Sequence, residues 1–204
     1  MGQHLERGYG LKGQEARHGW PARFSPVTRA SPTFMRMRSR SVLWLVPLLL
    51  AVHNAEEALF FPRYLPFVLY RLPATWQALI APLTTGQVGA ALAVVTAVAF
   101  IVAWWSYRRP ESPLALWLVL LIQATVLLNV LWHVAAAVVL FGGYAPGVVT
   151  AVLLNLPFSV YLLGRASRER WLGPRALWGL VPAAIVLHGP LLAALLVFTE
   201  RWPR

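Results

Sequence analysis

The chain has 204 residues, of which 58% are hydrophobic and only 12% are charged. A soluble domain carries about a quarter of its residues as charged side chains. Here the apolar residues form blocks of about 20, the length of helix that crosses a hydrocarbon core about 30 Å thick. The composition therefore excludes an ordinary soluble domain and predicts an integral membrane protein built from helices.

The chain has a net charge of +11 and contains no cysteine. Its basic residues lie in the tails and between the apolar blocks, which is typical of orientation signals and lipid-headgroup contacts rather than of a nucleic-acid surface. The lack of cysteine excludes disulfides, a thiolate nucleophile and thiolate metal or iron–sulfur sites. A bound metal ion would therefore need histidine and carboxylate ligands. The chain has no aspartate either, which excludes aspartate-based mechanisms.

Residues 1–40 contain eight Lys and Arg residues and show no helical periodicity. They are predicted to form a disordered cytoplasmic tail, and Met35 or Met37 is a candidate for the true start. The stretch from Arg36 to Val52 also has the basic and apolar regions of a signal peptide. No small-x-small cleavage site follows it and the apolar run continues to Phe61, which favours a retained helix.

The membrane domain, residues 41–199, is predicted to be an all-α bundle of five transmembrane helices. The spans are about 41–61, 84–106, 113–140, 147–163 and 176–198. The segment 62–82 is interrupted by prolines and is predicted to lie at the interface. If the chain alternates sides, fourteen of its 18 Lys and Arg residues fall on one side. The positive-inside rule then places the N-terminus in the cytoplasm and the C-terminus outside.

Two spans carry polar residues at helical spacing. The first contains a His-x-x-Glu-Glu sequence at His53, Glu56 and Glu57, and the third contains Asn129 and His133. Residues three or four apart share one face of a helix. Ionisable groups are costly in a bilayer and normally face a protein interior. We therefore expect these five side chains to converge.

Two further polar residues fall at the same depth when each helical residue is given its rise of about 1.5 Å. Asn155 lies in the fourth span beside Pro157, and His188 lies in the fifth beside Pro190. A proline has no backbone N–H and frees a carbonyl one turn earlier. Opened backbone at membrane depth is tolerated where it is buried or lines a cavity. Asn155 and His188 are therefore candidate supporting residues of a polar chamber between the midplane and the outer leaflet.

A His-x-x-Glu-Glu sequence in a first span, followed by Asn-x-x-x-His in a later one, resembles the HXXEE family of bacterial multi-pass membrane proteins. The Gly-Tyr-Ala-Pro-Gly turn at 143–147 is similar to the turn that follows the Asn-x-x-x-His helix in that family. The resemblance covers about residues 43–165 and implies a location in the bacterial cell membrane. The family is named for its motif rather than for an activity. The site residues that the resemblance implies are His53, Glu56, Glu57, Asn129 and His133.

The polar cluster is compatible with a metal centre. His53, Glu56, Glu57 and His133 together offer nitrogen and oxygen ligands suited to Zn²⁺, Fe²⁺ or Mn²⁺. The His-Glu-x-x-His signature of zinc proteases is missing. A bound metal would permit hydrolysis by an activated water, or redox chemistry on a lipid.

Other interpretations need no metal. Glu56 or Glu57 is suited to acid/base chemistry with His53, as in a lipid isomerase. A proton-linked transporter or membrane binding protein would use the same groups as a relay. The simplest alternative is interhelical hydrogen bonding that holds the bundle together, with one carboxylate reaching the outer surface.

Among these alternatives an enzyme is slightly favoured, and a proton-linked transporter or membrane binding protein is the other function that stays open. We expect an integral membrane enzyme, a metal-dependent hydrolase or a lipid-modifying enzyme, that acts on a lipid or another apolar molecule. Its catalytic residues would be His53, Glu56 and Glu57, and nucleic acid is not an expected partner. Tyr144 is predicted to be an interfacial anchor, and the nearby glycines Gly142, Gly143 and Gly147 are predicted to serve the turn.

Overall fold

The computed structural model describes residues 41–71 and 84–191 and the single residues 74, 77 and 194. Every regular element in these residues is helical, as the sequence predicts. The predicted tail at 1–40 and most of the predicted fifth span beyond residue 191 lie outside the described residues. The disordered tail therefore stays a prediction.

The chain forms long helical rods from α-helical, 3₁₀-helical and π-helical segments. The α-helices are α1 (Leu45–Arg71), α2 (Thr85–Arg108), α3 (Pro113–Ala135), α4 (Val148–Thr150), α5 (Leu156–Arg168), α6 (Pro174–Trp178) and α7 (Leu180–Val186). A 3₁₀ turn, Ser41–Trp44, leads into α1. The π-helical segments are Ala136–Phe141 after α3, Ala151–Asn155 between α4 and α5, and Leu187–Leu191 after α7.

Within the described part of the chain, four helical rods are long and apolar enough to cross a membrane. They are Ser41–Phe67, Thr85–Arg108, Pro113–Phe141 and Val148–Arg168. They correspond to the first four predicted spans and indicate a membrane protein. The fifth span and the orientation of the two termini remain predictions.

The first helix differs from its prediction, because it does not end at residue 61. Helix α1 continues to Arg71 with Pro62 and Pro66 inside it. A proline removes one backbone donor, but neighbouring groups compensate for this loss in membrane helices. Contacts of the extra turns help to hold them, since the Arg71 guanidinium donates to the Leu140 carbonyl at the end of the third rod. The prolines at 62 and 66 therefore do not break the helix, and the interfacial location of segment 62–82 stays a prediction.

The prediction that Pro157 and Pro190 open the helices near them agrees with the position of two π-helical segments. The segment Ala151–Asn155 ends two residues before Pro157, and the Leu156 N–H at its end donates to the Ala151 carbonyl. Pro190 lies inside the segment Leu187–Leu191. A π-helical turn is a known response of a helix to a lost or displaced hydrogen bond, and such turns are frequent at functional sites.

The buried surface changes from apolar to polar along the first helix. The main core joins Leu43 and Val46 to Leu120 of α3 and Leu162 of α5. A smaller cluster at Leu50 lies next along α1. One turn further comes His53, which is fully buried. Helix α3 packs against α1, α2, α5 and α7, so its polar residues can reach those of α1.

Asn54, inside the first polar sequence, does not face that polar cluster. Its Nδ2 donates to the Leu92 carbonyl at 3.2 Å and to the Thr96 hydroxyl at 2.8 Å, both on α2. Hydrogen bonds between membrane helices are ordinary stabilising contacts. Asn54 therefore fixes α1 against α2 and sets the rotation of α1 that buries His53.

We expect Asn54→Leu and Thr96→Val each to lower the free energy of unfolding by about 1 kcal/mol, since each removes the same interhelical hydrogen bond. The double variant should lose less than the sum of the two, because the contact can be lost only once. Reversible denaturation in mixed micelles measures all four proteins. Strict additivity would show that the contact contributes nothing.

Candidate functional site

Four of the five residues that were predicted to converge, all except Glu56, form one cluster. The rings of His53 and His133 lie edge to face with their centroids 4.8 Å apart. The Asn129 amide donates to His53 Nε2 at 2.9 Å. Glu57 Oε2 lies 3.9 Å from His53 Nε2 and 3.8 Å from His133 Nε2. The structure thus brings together the pairs that the spacing predicted to converge.

Glu56 points to a different partner, the turn and the helix that begin the fourth span. Its Oε1 accepts from the Tyr144 hydroxyl at 2.8 Å and from the Val149 N–H at 3.4 Å. Its Oε2 accepts from the Thr150 N–H at 2.8 Å and from the Thr150 hydroxyl at 2.6 Å. Four donors therefore surround one carboxylate. Glu56, predicted as a metal ligand, is directed to these donors instead.

These contacts make Glu56 an N-terminal cap supplied by another helix. The first N–H groups of any helix lack partners within it. The N-cap residue of α4 is Gly147, which has no side chain to accept from them. The Glu56 carboxylate takes the place of that side chain on the second and third residues of the helix. A negative charge is also favoured at this end by the helix dipole.

The Thr150 hydroxyl connects the cap to the histidines. It has one hydrogen, which the 2.6 Å contact assigns to Glu56. Its oxygen, 3.0 Å from His53 Nδ1, then accepts from that nitrogen. Consequently His53 carries its hydrogen on Nδ1, and its Nε2 is left as an acceptor for the Asn129 amide. The network fixes one tautomer of His53.

His133 presents the same nitrogen to the cluster. The Pro146 carbonyl accepts a hydrogen bond from its imidazole, whereas its Nε2 is buried and has no hydrogen-bond partner among the described residues. An unpaired buried polar atom is unfavourable and normally has a reason. Both imidazoles thus direct Nε2 toward Glu57 Oε2.

Gly147 permits the close approach of both histidines to the turn. A Cβ at this position would lie 2.9 Å from Cε1 of His53 and 2.9 Å from Cε1 of His133. Its φ of +83° is also one that a residue with a side chain rarely adopts. The turn and the two rings are therefore packed against each other with no room for a methyl group.

Aromatic side chains cover the Glu56 side of the site. The Tyr144 ring lies 5.7 Å from that of Phe60 and 5.6 Å from that of Tyr64, and Tyr64 also packs on Phe141 at 5.3 Å. Burial and the hydrogen bond to Glu56 raise the pKa of the Tyr144 hydroxyl. The hydroxyl therefore keeps its proton and remains a donor to Glu56.

Asn155 and His188 do not join this network through any hydrogen bond or ion pair between described residues. Asn155 is buried and its Nδ2 has no hydrogen-bond partner in that part of the chain. His188 is half-buried within the π-helical segment that follows α7. Their supporting role stays a prediction.

Three residues of the network were not predicted as site residues: Tyr144, Gly147 and Thr150. Tyr144 and Gly147 belong to the turn that was assigned to anchoring and chain reversal. Their position in the sequence could have identified them. The turn leads directly into the start of a helix, where free N–H groups attract a carboxylate. Glu56 and Glu57 were the only carboxylates in the predicted spans.

His53, Glu57 and His133 form a group that can hold a metal ion. Each offers one ligand atom, and the three atoms lie within 4.8 Å of one another. The donor set is two imidazole nitrogens and one carboxylate oxygen, which occurs in zinc hydrolases and in non-haem iron enzymes.

Gly147→Ala should destabilise the protein more than Gly142→Ala. Both glycines have positive φ, but a Cβ at Gly142 meets nothing within 4 Å. Gly142→Ala should cost about 1 kcal/mol for its backbone conformation alone, and Gly147→Ala about 1–3 kcal/mol more for the clash with the rings. Thermal unfolding in one detergent compares the two. Equal losses would mean that the contact with the imidazoles imposes no constraint.

Known proteins place the chain in a family. Residues 44–162 match the profile of the family described as "Protein of unknown function with HXXEE motif". The chain is 29% identical over 108 residues to the "Uncharacterized protein YrkK" of Bacillus subtilis (strain 168), a match that covers 53% of this chain and 63% of that protein. The chain thus spans less than two thirds of this relative's length. No solved structure matches it significantly. The family match covers more than half of the chain and includes every residue of the network, so the protein belongs to the HXXEE family.

Proposed function

We propose that the protein is a metal-dependent membrane enzyme whose divalent cation is held by His53, His133 and Glu57, and that its substrate is a lipid or another apolar molecule. The observation that carries the proposal is the convergence of three ligand atoms within 4.8 Å. One of them, His133 Nε2, is buried and unpaired among the described residues.

The hydrogen bonds on the far side of each ring support a metal-binding role. A ligating histidine normally donates its other ring N–H to a protein acceptor, which fixes the tautomer and the orientation of the ring. His53 donates from Nδ1 to the Thr150 hydroxyl, and the backbone of Pro146 hydrogen-bonds His133. Both rings are therefore held with Nε2 toward the cluster, where that of His133 is unpaired and that of His53 accepts from the Asn129 amide.

The distances require a contraction of the site. With bonds of about 2.0–2.1 Å, two ligand atoms of a tetrahedral zinc ion lie about 3.3 Å apart. Glu57 Oε2 lies 3.9 Å and 3.8 Å from the two nitrogens, and the three ligand atoms lie within 4.8 Å of one another. Binding would therefore shorten these separations by about 0.5–1.5 Å.

Asn129 is the residue that must respond to a cation. Its amide N–H₂ donates to the His53 nitrogen that would bind the metal. Rotation of the amide removes this donor and turns the carbonyl oxygen toward the cluster, where it can serve as a further hard ligand. Without a metal, Asn129 would thus donate a hydrogen bond to His53 Nε2. With a metal bound, it would offer its carbonyl oxygen as a ligand.

A bound cation would supply an activated water or polarise a substrate oxygen. The exposure of the ligands indicates where a substrate could reach the cation. Glu57 is 21% exposed, whereas the imidazole of His53 is fully buried. Trp132, the neighbour of His133 in the sequence, is exposed on the outside of α3. The carboxylate is therefore the edge of the site that a molecule dissolved in the bilayer can reach.

The metal site predicts a difference between two adjacent glutamates. Wild-type protein is purified in detergent and dialysed against Zn²⁺, Fe²⁺ or Mn²⁺. It should retain about one ion of one of these metals per protein chain. Glu57→Gln should lose this ion, because it removes an anionic ligand. Glu56→Gln should keep the ion but unfold at a lower temperature, because it weakens the helix cap. Elemental analysis and thermal unfolding measure both properties. Metal-free wild-type protein, or equal loss of metal in both variants, would contradict the proposal.

The enzymatic part has a separate test. Metal-loaded protein incubated with a bacterial lipid extract should consume one lipid class and generate a product, detected by mass spectrometry, and Glu57→Gln should lower the rate at least about 100-fold, as expected when a group of the reacting centre is removed. Extracts unchanged by wild-type protein with its metal bound would argue for a binding role.

One observation favours a second candidate, a proton-linked transporter or binding protein. The contacts from Tyr144 through Glu56 and Thr150 to His53 and Asn129 form a continuous hydrogen-bonded chain. Such chains in membrane proteins can relay protons. This candidate predicts metal-free protein, so the same elemental analysis separates the two.

A further inference from the structure

A second feature of the bundle lies away from the histidines, between α3, α5 and α7. It is a cavity of about 800 Å³, within the size range of small-molecule binding sites. Its walls are apolar and include Leu127, Leu128 and Leu131 of α3. One end is polar and aromatic, and consists of Ser167, Arg170, Trp171 and neighbouring residues of the turn after α5.

The apolar wall of the cavity follows α3. Its lining on this helix runs from Ala124 to Leu131, seven residues or roughly 10 Å at the α-helical rise. The Trp117 indole donates to the Ala176 carbonyl, so the region of the turn lies beside an earlier part of α3. Half of a hydrocarbon core is about 15 Å thick. The apolar wall is therefore long enough for a large part of an acyl chain in one leaflet.

Arg170, at the polar end, has an unusual backbone conformation. Its φ is +52°, the one positive value at a non-glycine residue in the described part of the chain. The Trp171 N–H donates to the Ala166 carbonyl and the Arg170 N–H to the Ser167 carbonyl, the paired bonds with which many helices end. Glycine is favoured at this position, because a side chain costs free energy there. An arginine at such a position costs free energy, and such costs occur where a side chain has a function.

The charge of this turn is unbalanced. Arg165 forms an ion pair with Glu169 at 2.7 Å. Hydrogen bonds from Arg165 and from the Trp171 indole lower the pKa of Glu169 and keep it ionised. The guanidinium of Arg170 makes no hydrogen bond or ion pair with any described residue. An unpaired cation, tryptophans and an apolar groove together match an anionic lipid, whose headgroup carries negative charge above an acyl chain.

We propose that this cavity is a binding site for an anionic phospholipid, with one acyl chain along α3 and the phosphate on the Arg170 guanidinium. The site uses a different face of α3 from Asn129 and His133, so it does not depend on the metal centre. A guanidinium recognises phosphate through paired, charge-assisted hydrogen bonds. The hydroxyl of Ser167 provides a further donor at the same end.

The test uses full-length protein, delipidated in a neutral detergent, and measures the melting temperature with added lipid. Phosphatidylglycerol should raise it more than phosphatidylcholine with the same acyl chains, because a ligand of the folded state stabilises that state. Glycerol phosphate, which has no acyl chain, should have no effect. In a titration, Arg170→Gln should bind phosphatidylglycerol at least about tenfold more weakly than wild-type protein does, as expected for one lost charge-assisted contact.

Two further variants make the test specific. Arg175→Gln removes the same charge from the same basic segment but outside the cavity lining, and it should keep the preference for phosphatidylglycerol. Arg170→Gly relieves the backbone strain, so it should melt at the same or a higher temperature without lipid and still lose the preference. Equal stabilisation by both lipids, an equal loss in Arg175→Gln, or an effect of glycerol phosphate as large as that of the lipid would overturn the proposal.

Discussion

The carboxylate of Glu56 at the start of the helix beginning at Val148 is the contact on which the geometry of the site depends. A charge between membrane helices is costly unless it is well paired, and here the pairing comes from dipoles rather than from a basic side chain. Two backbone N–H groups and the hydroxyls of Thr150 and Tyr144 supply it. Because the donors belong to the turn and the helix after it, the charge fixes the fourth rod against the first. Removal of either side would leave the other unsatisfied at depth.

The same contact explains why two adjacent glutamates have different roles. Successive residues on a helix point about 100° apart, so Glu56 and Glu57 cannot address the same partners. Glu56 accepts from the start of the helix at Val148. The Thr150 hydroxyl connects Glu56 to His53, because it donates to Glu56 and accepts from His53 Nδ1. Glu57 faces the Nε2 atoms of both histidines. Glu56 therefore orients the His53 imidazole through Thr150 on its Nδ1 side, and Glu57 adds a carboxylate oxygen on the Nε2 side. The His-x-x-Glu-Glu spacing meets both requirements with a single turn of helix.

Much of this arrangement is predictable because it depends on local periodicity. Apolar blocks predict the four long helices, and spacings of three and four place His53 with Glu57 and Asn129 with His133. The remainder depends on contacts between elements. Helix α1 passes through Pro62 because its outer turns have partners on the third rod, which no local pattern reveals. Gly147 looks like any turn glycine until the two imidazole rings are placed against it. In the sequence Glu56 and Glu57 are equivalent, and only the position of the helix starting at Val148 distinguishes them.

Helix α3 connects the two features of the bundle, because its faces have different chemistry. Asn129 and His133 lie toward α1, and Leu127, Leu128 and Leu131 line the cavity beside α7. The π-helical segment Ala136–Phe141 continues this helix into the turn that holds Tyr144 and Gly147. Helix α3 packs against α1, α2, α5 and α7, and this central position allows one helix to serve both features. Because the two faces are separate, neither feature requires the other to be occupied.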